Sequence, residues 1–307
     1  MPKKDLISVG NLSPQEIEEI FVLTDSLKHD GTAFKNALAG KTLVLIFQKP
    51  SNRTRVSFDV GMYQLGGNSV YLSPGEIDLG VRESISDAAK TLSRYVDAIV
   101  LRTFEHKNVL ELAKYADVPV INGLSDFSHP CQALADIYTI REKLGSLKGK
   151  TLAYVGDGNN VCNSLLYACA RVSLNMFVAT PKGYEPDGAV FESARATAMA
   201  CGAKLQLTHS PQEAVAGVDV IYTDVWASMG QEKEAAKREK AFKGFQVNAA
   251  LLKHAKKGAL IMHCLPAHRG KEITAEAIDS KNSIVFDQAE NRLHVQKAIL
   301  IKLLRGQ

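Results

Sequence analysis

The chain has 307 residues, 46% of them hydrophobic and 23% charged, an ordinary balance for a globular protein. That length suggests two domains, because single cores commonly stop growing below about 250–300 residues. A formal net charge of +4 without a basic stripe makes no case for nucleic acid. The longest apolar runs are strand-sized, well short of the roughly 20 residues of a membrane span. Five cysteines, Cys131, Cys162, Cys169, Cys201 and Cys264, are widely spaced and form no CxxC pair. Neither a disulfide framework nor a zinc ribbon is supported, and free thiols in a reducing compartment are expected. No apolar stretch follows Lys3 and Lys4, and Glu16, Glu18, Glu19 and Asp25 disfavour a transit peptide, so a cytoplasmic location is expected.

In chain order, Ser13-Pro14-Gln15-Glu16 has the form of a helix start, with Ser13 as N-cap and Glu16 closing a capping box. Ile17, Ile20, Phe21 and Leu27 give that helix one apolar face, and it should end near Gly31. Residues 42–47 form a strand-length apolar run, followed by a helix carrying Val56, Val60 and Tyr63 and stopped by Gly66-Gly67. Further strands are predicted at 69–72, 98–101 and 118–121, with helices at about 84–95 and 109–115 between them. A helix opens at His129-Pro130-Cys131 and runs to about Leu144. A second alternating series follows, with strands at 151–155, 175–179, 204–207, 219–223, 259–262 and 284–286 and helices at 160–173 and 186–201. A last helix from Ala289 aligns Val295, Ile299 and Leu303. Such alternation implies parallel sheets with helices on their faces: an α/β chain of two open domains joined near residue 145.

Ligands of open parallel sheets bind beyond the carboxyl ends of the strands. After the run 42–47 stands Ser51-Asn52-Arg53-Thr54-Arg55 at a helix N-terminus, suited to a phosphate or to nothing more than a capped helix with two surface arginines. Arg102 follows the third strand and His129-Pro130-Cys131-Gln132 the fourth. Three polar segments after three strands of one domain together favour a phosphate-bearing substrate. In the second domain Gly156-Asp157-Gly158-Asn159-Asn160 could be a dinucleotide turn, but Val161 stands where the third glycine belongs. The next strand ends in Thr180 rather than an acid for a ribose, so NAD is disfavoured. Asp224 to Gly230 offers a carboxylate for an amine and a hydroxyl for an amino-acid headgroup, or simply a loop around Trp226. His263-Cys264-Leu265-Pro266-Ala267-His268 lacks the further ligands of a tetrahedral zinc site, and its cationic neighbours would favour a reactive thiol over a buried structural one.

These segments, in this order and over nearly the whole chain, resemble the ornithine carbamoyltransferase family. Phe47 to Arg55 is similar to the family's phosphate signature, and His129 to Gln132 to its second carbamoyl phosphate motif. Ser228-Met229-Gly230 and His263-Cys264-Leu265-Pro266 are specific to the ornithine branch, and Asp287 to Arg292 resembles the start of the family's last helix. The resemblance implies two α/β domains with a cleft between them, the C-terminal helix packing back on the first. On that pattern residues 1–145 plus 288–307 would bind carbamoyl phosphate and residues 146–287 would bind ornithine. Ser51, Asn52, Arg53, Thr54, Arg102, His129, Gln132, Cys264, Leu265 and Arg292 would hold carbamoyl phosphate, and Asn160, Asp224, Ser228 and Met229 would hold ornithine. Cys264, Arg102, His129 and Asp224 would be catalytic.

The resemblance further implies carbamoyl transfer to the δ-amine of L-ornithine, giving L-citrulline and phosphate, in arginine metabolism. No metal or cofactor would be needed, and the assembly would be a homotrimer or a multiple of one. Gln48 stands where the family usually has glutamate, Asn52 where threonine is usual and Asp78 where glutamine is usual. Three alternatives stay open: a sister enzyme acting on putrescine or an acylated ornithine, an NAD-linked oxidoreductase, and a relative without activity.

Overall fold

The computed structural model describes residues 3–77, 79–227, 230 and 232–305. The chain divides into two units, one of residues 1–138 with 290–307 and one of residues 139–289. The first contains α1 (Pro14–His29), β1 (Thr42–Phe47), α2 (Asn52–Gln64), β2 (Asn68–Leu72), α3 (Pro74–Ile77), α4 (Ile85–Leu92), β3 (Ala98–Arg102), α5 (His106–Tyr115) and β4 (Val120–Leu124). Helix α6 (Pro130–Leu144) leads out of it. The capping box is formed: Ser13 Oγ accepts the Glu16 N–H at 3.2 Å and Glu16 Oε2 accepts the Ser13 N–H at 2.9 Å. The face carrying Ile17, Ile20, Phe21 and Leu27 is buried, which is why this amphipathic segment folds as a helix.

The strands of the first unit make one parallel sheet in the order β2-β1-β3-β4. Strand β1 is buried at five of its six positions and β3 at all five, the mark of a sheet covered on both faces. Val44, Ile46, Ile99, Leu101 and Val120 pack there with Val109 and Leu112 of α5. Because the order reverses after β1, the carboxyl ends of β1 and β3 border the topological switch point.

The second unit repeats the plan with β5 (Thr151–Val155), α7 (Asn160–Arg171), β6 (Asn175–Ala179), α8 (Gly188–Ala200), β7 (Leu205–Thr208), α9 (Pro211–Val215), β8 (Val220–Thr223), α10 (Ala235–Ala241), α11 (Ala249–Leu252), β9 (Leu260–His263) and α12 (Ala275–Ile278). Its parallel sheet runs β7-β6-β5-β8-β9, so the switch point lies between β5 and β8. Ala153, Val155, Ile221 and Ile261 form its core with Phe242, Val247 and Ile273.

Helix α13 (Val285–Leu304) closes the chain, and from Glu290 onward it belongs to the first unit. It lies along α2: Arg292 reaches Thr54, Gln296 reaches Ser57 and Lys297 reaches Gln64. The two-domain parallel-sheet fold and the returning last helix are as expected. One predicted strand is not formed. Residues 284–286 enter α13 instead, since Ile284 accepts the Gln288 N–H at 2.9 Å and only Ser283 makes an isolated bridge to Ile261. A three-residue apolar run is as compatible with a helix entry as with a strand. The fourth strand starts two residues later than expected, at Val120. Among the described residues no helix is long and apolar enough to cross a membrane.

Replacing Ser13 with alanine removes the cap of α1 and is expected to lower the unfolding free energy by about 1 kcal/mol in urea titration. An unchanged midpoint would show that the capping box is dispensable.

Candidate active site

At the first switch point, Ser51 caps α2 by accepting the Thr54 N–H on its Oγ at 3.3 Å. The hydroxyl keeps its proton to donate, and the helix start presents backbone N–H groups and the positive end of the peptide dipoles. Asn52 is exposed, Arg53 half-buried and Thr54 buried. Arg55 turns away: its guanidinium lies 3.7 Å from the Tyr71 ring centroid. Buried Arg102 is the last residue of β3, and its carbonyl accepts the Gln48 N–H at 2.8 Å. Gln48 bonds the Thr103 hydroxyl through Oε1 and donates from Nε2 to the Leu79 carbonyl at 2.9 Å, so this amide ties three chain segments together.

His129 stands just before α6, its carbonyl accepting the N–H groups of Gln132 and Ala133, and its ring is almost wholly buried. Burial first, then the charges of Arg292, Arg102 and Arg53, hold this imidazole well below its ordinary pKa and therefore neutral. Four of the residues singled out in the sequence thus share one electrostatic neighbourhood. Arg292 arrives from α13 and donates to Gln132 Oε1 at 2.5 Å, Thr54 Oγ1 at 3.1 Å and Gln296 Oε1 at 2.9 Å. Gln132 in turn spends one amide proton on Asp136 at 2.8 Å. The last helix therefore fixes the geometry of a pocket whose other members lie more than 150 residues earlier.

At the second switch point, Asp224 follows β8 and is buried. Its Oδ1 accepts from Cys264 Sγ at 2.9 Å and its Oδ2 from the Asn159 amide at 2.8 Å. Asn159 also caps α7, accepting the N–H groups of Val161 and Cys162. The predicted Asn160 is the first residue of α7, half-buried. Beyond β9 the chain turns sharply. Leu265 sits at φ 59°, a left-handed conformation uncommon for a side chain of its size, and its N–H donates to His263 Nδ1 at 2.8 Å. With Nδ1 accepting, the ring proton resides on Nε2 and points to Glu272 Oε1 at 3.1 Å; both side chains are completely buried. Glu272 and His263 hold the turn that presents Cys264 to Asp224. The predicted Ser228 and Met229 lie outside the described residues, as does Asp78.

Asp224, His263 and Cys264 each offer a ligand atom within 4.8 Å of the others. Both ring nitrogens of His263 are committed, however, to Glu272 and the Leu265 N–H, while the thiol bonds the Asp224 carboxylate. The dinucleotide alternative meets a steric obstacle. Gly158 donates its N–H to the Tyr184 carbonyl at 2.9 Å, and a Cβ there would meet Pro186 N at 2.1 Å. The chain's own backbone covers the turn that would have to approach a pyrophosphate.

Three contributors escaped the sequence reading. Asn159 entered only as part of the glycine-containing turn, with no sign of its bond to Asp224. Glu272, nine residues after His263, carries no local signal. Arg238 of α10 donates from Nη1 to both Asp157 Oδ2 and the Trp226 carbonyl at 2.9 Å, pairing residues 81 positions apart.

Two doubly wound sheets thus carry an arginine-rich helix start at one switch point and a thiol–carboxylate pair at the other. Residues 4–142 match the carbamoyl phosphate-binding domain, and residues 148–303 the Asp/Orn-binding domain, of aspartate/ornithine carbamoyltransferases. The chain is 59% identical over 305 residues to the anabolic ornithine carbamoyltransferase of Pyrococcus furiosus, covering 99% of this chain and 97% of that one. It is 54% identical over 305 residues to the ornithine carbamoyltransferase of Thermococcus kodakarensis, with the same coverage. A solved Pyrococcus furiosus ornithine carbamoyltransferase superimposes with a TM-score of 0.97 at 54% identity, covering 99% of this chain and 98% of that one. The Thermus thermophilus ornithine carbamoyltransferase does so with 0.88 at 45% identity, covering 98% of each. The chain belongs to the aspartate/ornithine carbamoyltransferase family.

Burial raises the Asp157 carboxyl from 3.8 to about 6, outweighing the attraction of Arg238. Between those values the folded protein holds a proton that the unfolded chain has released, so this group's contribution to stability falls as pH rises from about 4 to 6. Urea titrations across that range are expected to show a flatter pH dependence for Asp157→Asn, and an identical slope would contradict the assignment.

Proposed function

We infer that the chain transfers the carbamoyl group of carbamoyl phosphate to the δ-amine of L-ornithine, giving L-citrulline and phosphate. The 2.9 Å contact between Cys264 Sγ and Asp224 Oδ1 carries the choice of an amine acceptor, and the ornithine carbamoyltransferase names of the relatives support it. A carboxylate with both oxygens already oriented is suited to receive an alkylammonium and to favour its loss of a proton.

The reaction joins a donor held by the first cluster to an amine held by the second. The Ser51–Thr54 helix start and Arg53 bind the phosphate, and Arg292 completes that site while bracing Thr54 and Gln132. Arg102 and neutral His129 direct hydrogen bonds at the carbamoyl oxygen, where negative charge grows as the amine adds. Asn160, Asp224, Ser228 and Met229 bind ornithine, whose side-chain ammonium, with a lysine-like pKa near 10, must first lose a proton. Asp224 and Cys264 orient it and take part in that loss, and Leu265 shapes the turn that presents Cys264. The nitrogen lone pair attacks, a tetrahedral intermediate forms, and the C–O bond to phosphate breaks as the nitrogen gives its extra proton to the departing phosphate.

The anabolic relative favours arginine biosynthesis. Five free cysteines support a reducing cytoplasm. Assembly as trimers or multiples of trimers is supported by exposed Val56 and Tyr63, seven residues apart on α2, and Val70 on the edge strand β2, apolar groups suited to cover by another copy.

A citrulline assay with ornithine, putrescine and N-acetylornithine tests the acceptor. Ornithine should exceed the others by about a hundredfold or more in kcat/KM, and preference for another amine would overturn the reading. In Cys264→Ser, kcat/KM for ornithine should fall about tenfold or more while KM for carbamoyl phosphate stays within about twofold. Equal losses for both substrates would remove the thiol from the amine side.

A further inference from the structure

Arg238 and Asp157 form an ion pair whose side chains are each only 9% exposed. Burying two charges costs several kcal/mol per ion, which their mutual attraction rarely returns in full, so stability alone is a poor explanation for the pair. Its connections suggest another. One guanidinium nitrogen, Nη1, donates both to Asp157 in the turn after β5 and to the Trp226 carbonyl, two residues beyond Asp224. Nε of the same side chain donates to Glu234 at 3.1 Å. A single side chain thus holds the Trp226 backbone and Glu234, just before α10, and ties both to the β5 turn. The guanidinium also lies 5.1 Å from the Tyr184 ring centroid, and Trp226 stacks on Phe242 at 5.6 Å, so the grip has aromatic walls.

The β5 turn makes a second attachment to the same segment. Asn159, two residues after Asp157, holds Asp224 Oδ2 at 2.8 Å. The carboxylate and the backbone two residues downstream are therefore fixed to one turn at two points. Asn159 and Cys264 hold the carboxylate itself, and Arg238 adds a hold on the backbone two residues beyond it.

We propose that the Asp157–Arg238 pair is a positioning clamp for the amino-acid acceptor, setting the pose of Asp224 and of the Trp226 backbone two residues on. The clamp rests on the reading of this unit as the ornithine side of a carbamoyltransferase. Neither residue touches the reacting atoms; both act through Asp224 and Trp226. The clamp is selective for one substrate, because the Ser51–Thr54 cradle, Arg102 and His129 are built from other strands. It also depends on geometry as well as charge: a lysine at position 238 keeps the cation but loses the planar fork that reaches three partners.

The test is steady-state kinetics of Asp157→Asn, Arg238→Lys and the double variant Asp157→Asn/Arg238→Gln, with thermal melts alongside. Asp157→Asn and Arg238→Lys should raise KM for ornithine about tenfold or more, a factor of the size that misplaced charge-assisted hydrogen bonds produce, with KM for carbamoyl phosphate within about twofold. The double variant, which leaves no unpaired buried charge, should melt close to wild type and show the same raised KM for ornithine. That combination separates positioning from a fold defect. Unchanged ornithine KM in folded variants, or equal rises for both substrates, would overturn the clamp. Wild-type protein is measured in the same assay, so failure to make citrulline would count against the carbamoyltransferase reading, whereas normal wild-type turnover with unaffected variants would count against the clamp alone.

Discussion

Three guanidinium groups, those of Arg53, Arg102 and Arg292, act on one buried imidazole, and the chemistry of the first unit follows from that concentration of charge. Burial and like charge both oppose a proton on His129, so the ring stays neutral and serves as a hydrogen-bonding group. A region this positive favours an anion, and the N-terminus of α2 adds backbone donors to the same cradle. Arg292 also explains why the last helix returns to the first unit. Its bonds to Thr54 and Gln132 join α13 to α2 and α6, and without them the cradle would lose its back wall.

The two units use the same topological device for different chemistry. Each is a parallel sheet whose strand order reverses once, and each places its polar side chains where the carboxyl ends of two strands diverge. In the first unit the strand ends carry cations and a helix start. In the second they carry a carboxylate, its amide partner and a thiol on a strained turn. The buried His263–Glu272 pair supports that turn through the Leu265 N–H, so a residue at positive φ is held by hydrogen bonds rather than by glycine.

Much of this was legible in the sequence because α/β proteins write their sites next to their strands. The apolar runs located β1, β3, β4 and β8, and the polar residues at or after their ends, Ser51 to Thr54, Arg102, His129 and Asp224, carry the two side-chain clusters. Strand order was not legible, since periodicity says which residues are buried but not which strands are neighbours. Residues 284–286 were misassigned because so short a run has no period. The pairs Asp157–Arg238 and His263–Glu272 stayed hidden because they join segments whose approach is decided only by the packed sheet. Gln48 is a different case: in sequence its departure from the usual glutamate helped keep an inactive relative open, yet its amide both accepts from Thr103 and donates to the Leu79 carbonyl, which a carboxylate could not do without a proton.

The central claim is that an anionic donor lies against the start of α2 with its carbonyl toward Arg102 and His129. A crystal structure with phosphonoacetamide, a non-hydrolysable analogue of carbamoyl phosphate, tests it directly. The account predicts the phosphonate on Ser51 to Thr54 and the Arg53 guanidinium, with the amide oxygen within hydrogen-bond distance of Arg102 and His129. A phosphonate bound elsewhere, with the cradle holding only water, would contradict it.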